Sequence, residues 1–148
     1  MPPASSYTVD TSDVLPTLKA LQGVEKDIRD NANRRLREAA SKCADGLVRE
    51  LKPAAAAAAT PQAALVVRSA RPRRDRIPVV VIGGRMRVGR YGAPAAALVW
   101  GSERGGTNFA APRGGAYWVR PTVARYSAGP AVETYKQGVA QILRDAGL

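Results

Sequence analysis

Few side chains in this sequence could do acid-base or metal chemistry. Among 148 residues there is no histidine and one cysteine, Cys43. This excludes nucleophiles paired with histidine, and it excludes zinc or iron-sulfur sites that need several cysteines. Most of the twelve carboxylates lie on the polar faces of predicted helices, which leaves Asp75 and Glu103 in the middle of the chain. Two isolated acids make a poor magnesium site, so we expect no enzyme and no cofactor.

The number and clustering of arginines indicate the kind of partner that this protein binds. The chain has 23 Lys plus Arg against 12 Asp plus Glu, a net charge of +11. Between positions 68 and 90 there are eight arginines and one acid, so seven of those eleven charges lie in this window. The window predicts either a loop or pore lining that faces DNA phosphates, which we favour narrowly, or pairing with an acidic neighbouring subunit. The residues expected to face DNA or a lumen are Arg68, Arg71, Arg73, Arg74 and Arg76.

The N-terminal third predicts an arm followed by helices. Residues 1–12 are small, polar and proline-containing, which is typical of an arm, with a short extended piece at 7–9. Residues 13–148 have the size of one domain. A short helix is predicted to begin at an N-cap, Ser12 or Asp13, and to end at Gly23; its apolar face carries Leu15, Leu18 and Leu21.

A long amphipathic helix is predicted over 24–52, ending at Pro53. Cys43 lies on its apolar face, so we expect a small buried hydrophobe rather than a reactive thiol. At about 42 Å the helix is longer than the roughly 38 Å diameter of a domain of this size, so we expect part of it to pack on another chain. The apolar positions recur every three or four residues: Ile28, Ala32, Leu36, Ala39, Cys43, Leu47 and Leu51.

The middle of the chain predicts strands and loops. The basic stretch 68–76 is expected to be a loop, and 62–70 fits either a short helix or an extended start. The β-branched run 77–82 predicts a strand, and 95–100 a second one. Residues 101–115 are rich in glycine and predict a long loop. Trp100, Tyr117 and Trp118 flank that loop, either as core residues or as interface anchors.

The C-terminal part predicts a return to helix. Residues 117–119 are expected to be extended and closed by Pro121, followed by a helical turn at 123–128. A final helix is predicted over 131–146, with Val132, Tyr135, Val139, Ile142 and Leu143 facing inward. The fold class is therefore α+β, with amphipathic N-terminal helices, a small and mostly antiparallel sheet with a long glycine-rich loop, and a C-terminal helix.

No apolar run approaches the ~18 residues of a membrane span. The first 13 residues lack the basic start and apolar stretch of a secretory signal. We therefore expect a soluble protein that is made in a cytoplasm and has no membrane partner.

Two short motifs flank the glycine-rich loop. The first, LVWGSERGG at 98–106, ends a predicted strand, and the second, YWVRPTV at 117–123, leads into the last helices. With the order of elements around them, they resemble the tail-completion or head-tail joining proteins of long-tailed bacteriophages. In that family a strand ends in a Glu-aromatic-Gly signature, and an aromatic-x-x-Pro-Ala segment enters the last helix. Here Arg104 replaces the aromatic residue, and Thr122 stands where alanine is common.

The resemblance implies a structural protein that forms a ring in the virion neck, with a hexamer favoured. It implies as partners other neck proteins, tail-tube or tail-terminator subunits, and DNA passing through the lumen. It brings no catalytic residues and no cofactor. A small basic nucleic-acid-binding protein, acting alone or as a dimer, is the alternative. The residues expected at a partner interface are Trp100, Glu103, Arg104, Tyr117 and Trp118.

Overall fold

The structure, a computed structural model, describes residues 5–57, 67–82, 87–88, 93–94 and 119–148. Helices stand near both ends, with antiparallel strands between them, which confirms the predicted α+β class. The predicted strand at 95–100 and the glycine-rich loop lie outside the described residues. In chain order the elements are β1 (Ser5–Thr8), α1 (Leu15–Lys19), a first 3-10 turn (Ala20–Gly23), α2 (Lys26–Ala57), a second 3-10 turn (Val67–Ser69), β2 (Arg71–Pro72), β3 (Val79–Ile82), β4 (Arg87–Val88), β5 (Ala93–Pro94), α3 (Val119–Ser127) and α4 (Pro130–Asp145).

The predicted Val/Ile strand is the centre of a three-stranded sheet in the order β1-β3-β2. Both neighbours are antiparallel to β3, with Thr8 opposite Val79 and Arg71 opposite Val81. Val79, Val80 and Ile82 are fully buried, which explains why this strand is continuously apolar rather than alternating. β4 and β5 pair separately in a short hairpin.

Two expectations about the sheet need correction. Residues 5–12, placed in the arm, belong to the fold, because β1 pairs with β3 and Val9 is fully buried. Part of the basic stretch is a strand rather than a loop, because Arg71 and Pro72 pair with β3. Pro72 fits there because β2 is an edge strand, whose outward side needs no amide donor.

Helix α2 lies against β2, β3, α3 and α4. One stripe of the helix is buried from Ala32 to Ala55, so a single protomer covers its apolar face. The length of α2 therefore does not by itself require a second chain. Ile28, predicted on this stripe, is 41% exposed, because it precedes the part of the helix that meets the sheet and the other helices.

Pro53 does not end α2, contrary to expectation. The helix continues through it to Ala57. A proline removes one backbone hydrogen bond and crowds the preceding turn. The residues that follow are alanines, which have the highest helix propensity, and Ala55 is buried against the core. These two contributions offset the proline close to the end of the helix.

The beginning of α1 also differs from the prediction. Its N-cap is Val14, without a side-chain hydrogen bond. The two expected capping residues are engaged elsewhere: Ser12 Oγ donates to Asp10 Oδ1 (3.2 Å), and Asp13 pairs with Lys136 Nζ of α4 (3.1 Å). Leu18 and Leu21 are buried as predicted, and Gly23 ends the following 3-10 turn.

The C-terminal helices confirm one prediction and correct another. α4 begins at Pro130 after Gly129, and all five residues predicted to face inward are buried. Val119, predicted to be extended, is helical, and Pro121 lies in the first turn of α3; residues 117 and 118 lie outside the described residues. The first amides of a helix have no intrahelical partner, so proline at this position costs no hydrogen bond.

Candidate nucleic-acid interface

Asp75 organises the turn that carries part of the arginine window. Its Oδ1 accepts a hydrogen bond from the Arg76 amide (2.7 Å), and its Oδ2 accepts one from Arg73 Nη2 (3.0 Å). Partial burial alone would raise the pKa of this carboxyl. The bonds from Arg73 and from the amides of Arg76 and Ile77 outweigh burial and hold the pKa below its usual value. Asp75 is therefore an anion that bonds the turn from within.

Arg76 lies between this turn and the helices α2 and α4. Its Nη1 donates to Asn33 Oδ1 of α2 (3.3 Å). The buried Tyr135 of α4 donates its hydroxyl to the Arg76 carbonyl (2.7 Å). Arg76 therefore links the turn to α2 and α4, whereas the Arg73 guanidinium bonds Asp75 within the turn.

Removing the Asp75 carboxylate should loosen this turn. We expect Asp75→Ala to lower the free energy of unfolding by about 1 kcal/mol, as for the loss of a capping side chain. Because the folded pKa is lowered, the contribution of the carboxylate is complete above its unfolded pKa of about 3.9 and is lost as pH falls through the folded pKa. Urea unfolding between pH 5 and 2 should therefore show the difference in free energy of unfolding between wild type and Asp75→Ala narrowing as pH falls. A difference that stays constant with pH would contradict this role.

An open groove runs between the exposed face of α2 and the strand end at 72–74. Its volume is about 580 Å³. The α2 residues along it lie three or four positions apart, which places them on one side of the helix, opposite the buried stripe. The groove is lined by Arg34, Arg37, Glu38, Ser41, Lys42, Asp45, Pro72 and Arg74.

The groove carries four cations and two anions. Arg34 is engaged, because it donates to Glu38 Oε1 (3.0 Å) and Asn31 Oδ1 (2.8 Å). Arg37, Lys42 and Arg74 are exposed, and within the described part of the chain they form no ion pair. Beside the Arg34–Glu38 pair, the groove therefore presents three exposed cations and one carboxylate, Asp45, and its net charge is +2.

The structure divides the predicted arginine window. Arg74 lines the groove, whereas Arg73 and Arg76 are bound within the fold. Arg68 on the second 3-10 turn and Arg71 on β2 are exposed but do not line the groove. The predicted interface residues Trp100, Glu103, Arg104, Tyr117 and Trp118 lie outside the described residues.

Sequence reasoning missed Arg37 and Lys42 as site residues. Both belong to the polar side of an amphipathic helix, where a charge usually has no role beyond contact with solvent. Their helical spacing is visible in the sequence. The sequence does not reveal that the strand end carrying Arg74 lies beside that side of α2 and makes a groove of it.

Cys43 confirms its predicted role as a small buried side chain. Burial raises the pKa of its thiol, more than the nearby Tyr126 hydroxyl lowers it, so the neutral form is favoured. Tyr126 of α3 donates its hydroxyl to the Cys43 carbonyl (2.6 Å). The tyrosine reaches α2 at Gly46, where a side chain would collide with the ring and hydroxyl.

The described ranges hold neither a metal-binding cluster nor a membrane-spanning helix. Within them, no three histidine, cysteine or acidic residues come together as they would to hold a metal ion. No helix among the described residues is long and apolar enough to cross a bilayer.

The chain matches no protein-family model, no curated protein and no solved structure.

Proposed function

We propose that this protein is a structural subunit of the head-tail joint of a long-tailed bacteriophage. Copies form a ring in the virion neck, a hexamer being the favoured form, which connects portal-side proteins to the tail tube and lets DNA pass. The observation that carries the proposal is the groove, whose exposed Arg37, Lys42 and Arg74 form no ion pair with described residues.

The architecture supports the same proposal. The resemblance implies an α+β protomer with helices before the sheet and a closing helix after it. The chain follows this order from α1 onward, with α1 and α2 before β2 and β3, and α3 and α4 at the end, although β1, which precedes α1, also belongs to the sheet. A protein through which DNA passes needs cations that contact phosphates without reading bases, and exposed arginine and lysine suit that task.

The virion provides the most direct test. We expect a gold-labelled antibody against this protein to mark tailed particles, from the culture that produces it, at the junction of head and tail. Labelled sites elsewhere on the particle, or tailed particles that contain none of the protein, would contradict the proposal. Light scattering of the purified assembly should then give a multiple of the 15.7 kDa protomer mass, six being the favoured number.

A small nucleic-acid-binding protein that acts alone or as a dimer is the second candidate. The same groove favours it, since exposed cations bind any nucleic acid backbone. The mass of the purified protein in solution distinguishes a ring-forming neck subunit from a nucleic-acid-binding monomer or dimer. A protein that remains a monomer or dimer at all concentrations, binds duplex DNA and is not found in particles would support this second function.

A further inference from the structure

We propose that the groove between α2 and residues 72–74 is a binding site for the phosphate backbone of double-stranded DNA. Arg37, Lys42 and Arg74 are its phosphate ligands. This inference rests on the proposed function, because that function identifies the bound polyanion as DNA. It departs from the sequence-based expectation, because two of the three ligands come from α2 and only one from the arginine window.

The three proposed phosphate ligands differ from Arg34, Arg73 and Arg76 in that they form no ion pair or side-chain hydrogen bond with described residues. Arg34 is held by Glu38 and Asn31, Arg73 by Asp75, and Arg76 by Asn33. A cation that already has a partner gains little from a phosphate, because one interaction replaces another. Arg37, Lys42 and Arg74 are exposed and form no ion pair with described residues, so phosphate contact adds an interaction for each.

The spacing of the cations suits a regular polyanion. Positions 37 and 42 of α2 are about 7.5 Å apart along the helix axis. One strand of duplex DNA presents a phosphate about every 3.4 Å of its axis, so the two side chains can reach different phosphates of one strand. Arg74 approaches from the other wall of the groove, and Ser41 adds a hydroxyl donor between Arg37 and Lys42.

The composition of the groove favours a phosphate backbone over an acidic protein surface. Among the described residues that line it, Pro72 is the one apolar side chain. The buried centre of a protein interface is depleted of charge and rich in aromatic side chains, and this groove has the opposite character. None of the described lining residues is aromatic, so it offers no surface on which bases could stack. We therefore expect binding without sequence preference.

The test compares two triple variants of the full chain, each with three positive charges removed. The first is Arg37→Gln, Lys42→Gln and Arg74→Gln. The matched control is Lys19→Gln, Lys52→Gln and Arg125→Gln, on α1, α2 and α3, whose residues are exposed, do not line the groove and form no ion pair with described residues. Titration of a 30-base-pair duplex at several salt concentrations gives Kd and its salt dependence for both. Thermal unfolding verifies that both are folded.

The groove variant should bind DNA about two orders of magnitude more weakly than wild type near 0.1 M salt. The magnitude of its salt slope should fall by about 0.9 for each phosphate that the variant no longer neutralises. The control should show a much smaller change in both quantities. Exchanging charge type with Arg37→Lys, Lys42→Arg and Arg74→Lys should preserve the salt slope, since phosphate binding needs a cation rather than a particular side chain.

Three outcomes would overturn this site. The first is equally weakened binding in the groove variant and the control, which would show an effect of net charge alone. The second is a folded groove variant that binds DNA as wild type does. The third is unchanged DNA binding with failed ring assembly, which would assign the groove to an acidic neighbouring subunit. The neck assignment is judged separately by labelling of particles, so it can fail while the groove effect on DNA persists.

Discussion

Replacing Gly46 with alanine should destabilise this protein by about 1–3 kcal/mol, the usual cost of forcing an extra group into a packed site. Within a helix this substitution normally stabilises, by about 1 kcal/mol. Here the added methyl group would collide with the hydroxyl of Tyr126 and lie 3.2 Å from its Cζ. The tyrosine would have to move, and its hydrogen bond to the Cys43 carbonyl would break.

Gly138 is the matched control, since it lies inside α4 and an added methyl group there meets nothing within 4 Å. Gly138→Ala should therefore stabilise by up to about 1 kcal/mol. Chemical denaturation of both variants measures the difference. A Gly46→Ala variant as stable as Gly138→Ala would show that α3 does not pack on α2 through Tyr126.

Combining Gly46→Ala with Tyr126→Phe isolates the cause. Phenylalanine lacks the hydroxyl that the methyl group would strike, so the alanine should cost much less in that background than in wild type. A double-mutant cycle gives this coupling directly. If the two effects simply add, the cost of alanine at position 46 comes from something other than Tyr126.

Truncating Leu47 to alanine should cost about 2–5 kcal/mol, the range for a leucine removed from a packed core. Leu47 is fully buried on α2, in the cluster that joins this helix to the sheet and to α4. Because the same helix carries Arg37 and Lys42 on its opposite face, a loosened core should also weaken DNA binding through the groove.

Leu15 provides the control for this truncation. It is 45% exposed on α1, so Leu15→Ala should change the free energy of unfolding by no more than about 0.5 kcal/mol. Urea denaturation with a shared slope compares the two variants. Equal effects at the two positions would contradict the packing of α2 described above.

These two predictions concern the orientation of α2, and the proposed function depends on that orientation. The buried stripe and the basic groove lie on opposite sides of one helix. Leu47 in the core and Tyr126 at Gly46 hold the buried face of α2 against its neighbours. These contacts therefore also set the orientation of the opposite face, which carries the groove cations. Stability and DNA binding should change together in core variants and separately in groove variants.

Elements whose residues follow a local period can be predicted from the sequence alone. The five inward residues of α4 follow from a helical repeat, and β3 from a run of β-branched residues between proline and glycine. Burial of Cys43 follows from its position on the apolar stripe of α2. These predictions succeed because the backbone geometry repeats, so residues on one face can be read from spacing alone.

Which arginines have side-chain partners depends on tertiary packing and cannot be predicted from the sequence. Eight arginines in one window look alike in sequence. Arg73 and Arg76 have side-chain partners, Asp75 in the turn and Asn33 on α2, whereas Arg74 lines the groove. The meeting of Arg74 with Arg37 and Lys42 joins positions more than thirty residues apart. Local periodicity carries no information about such pairings, because they are set by how whole elements pack against one another.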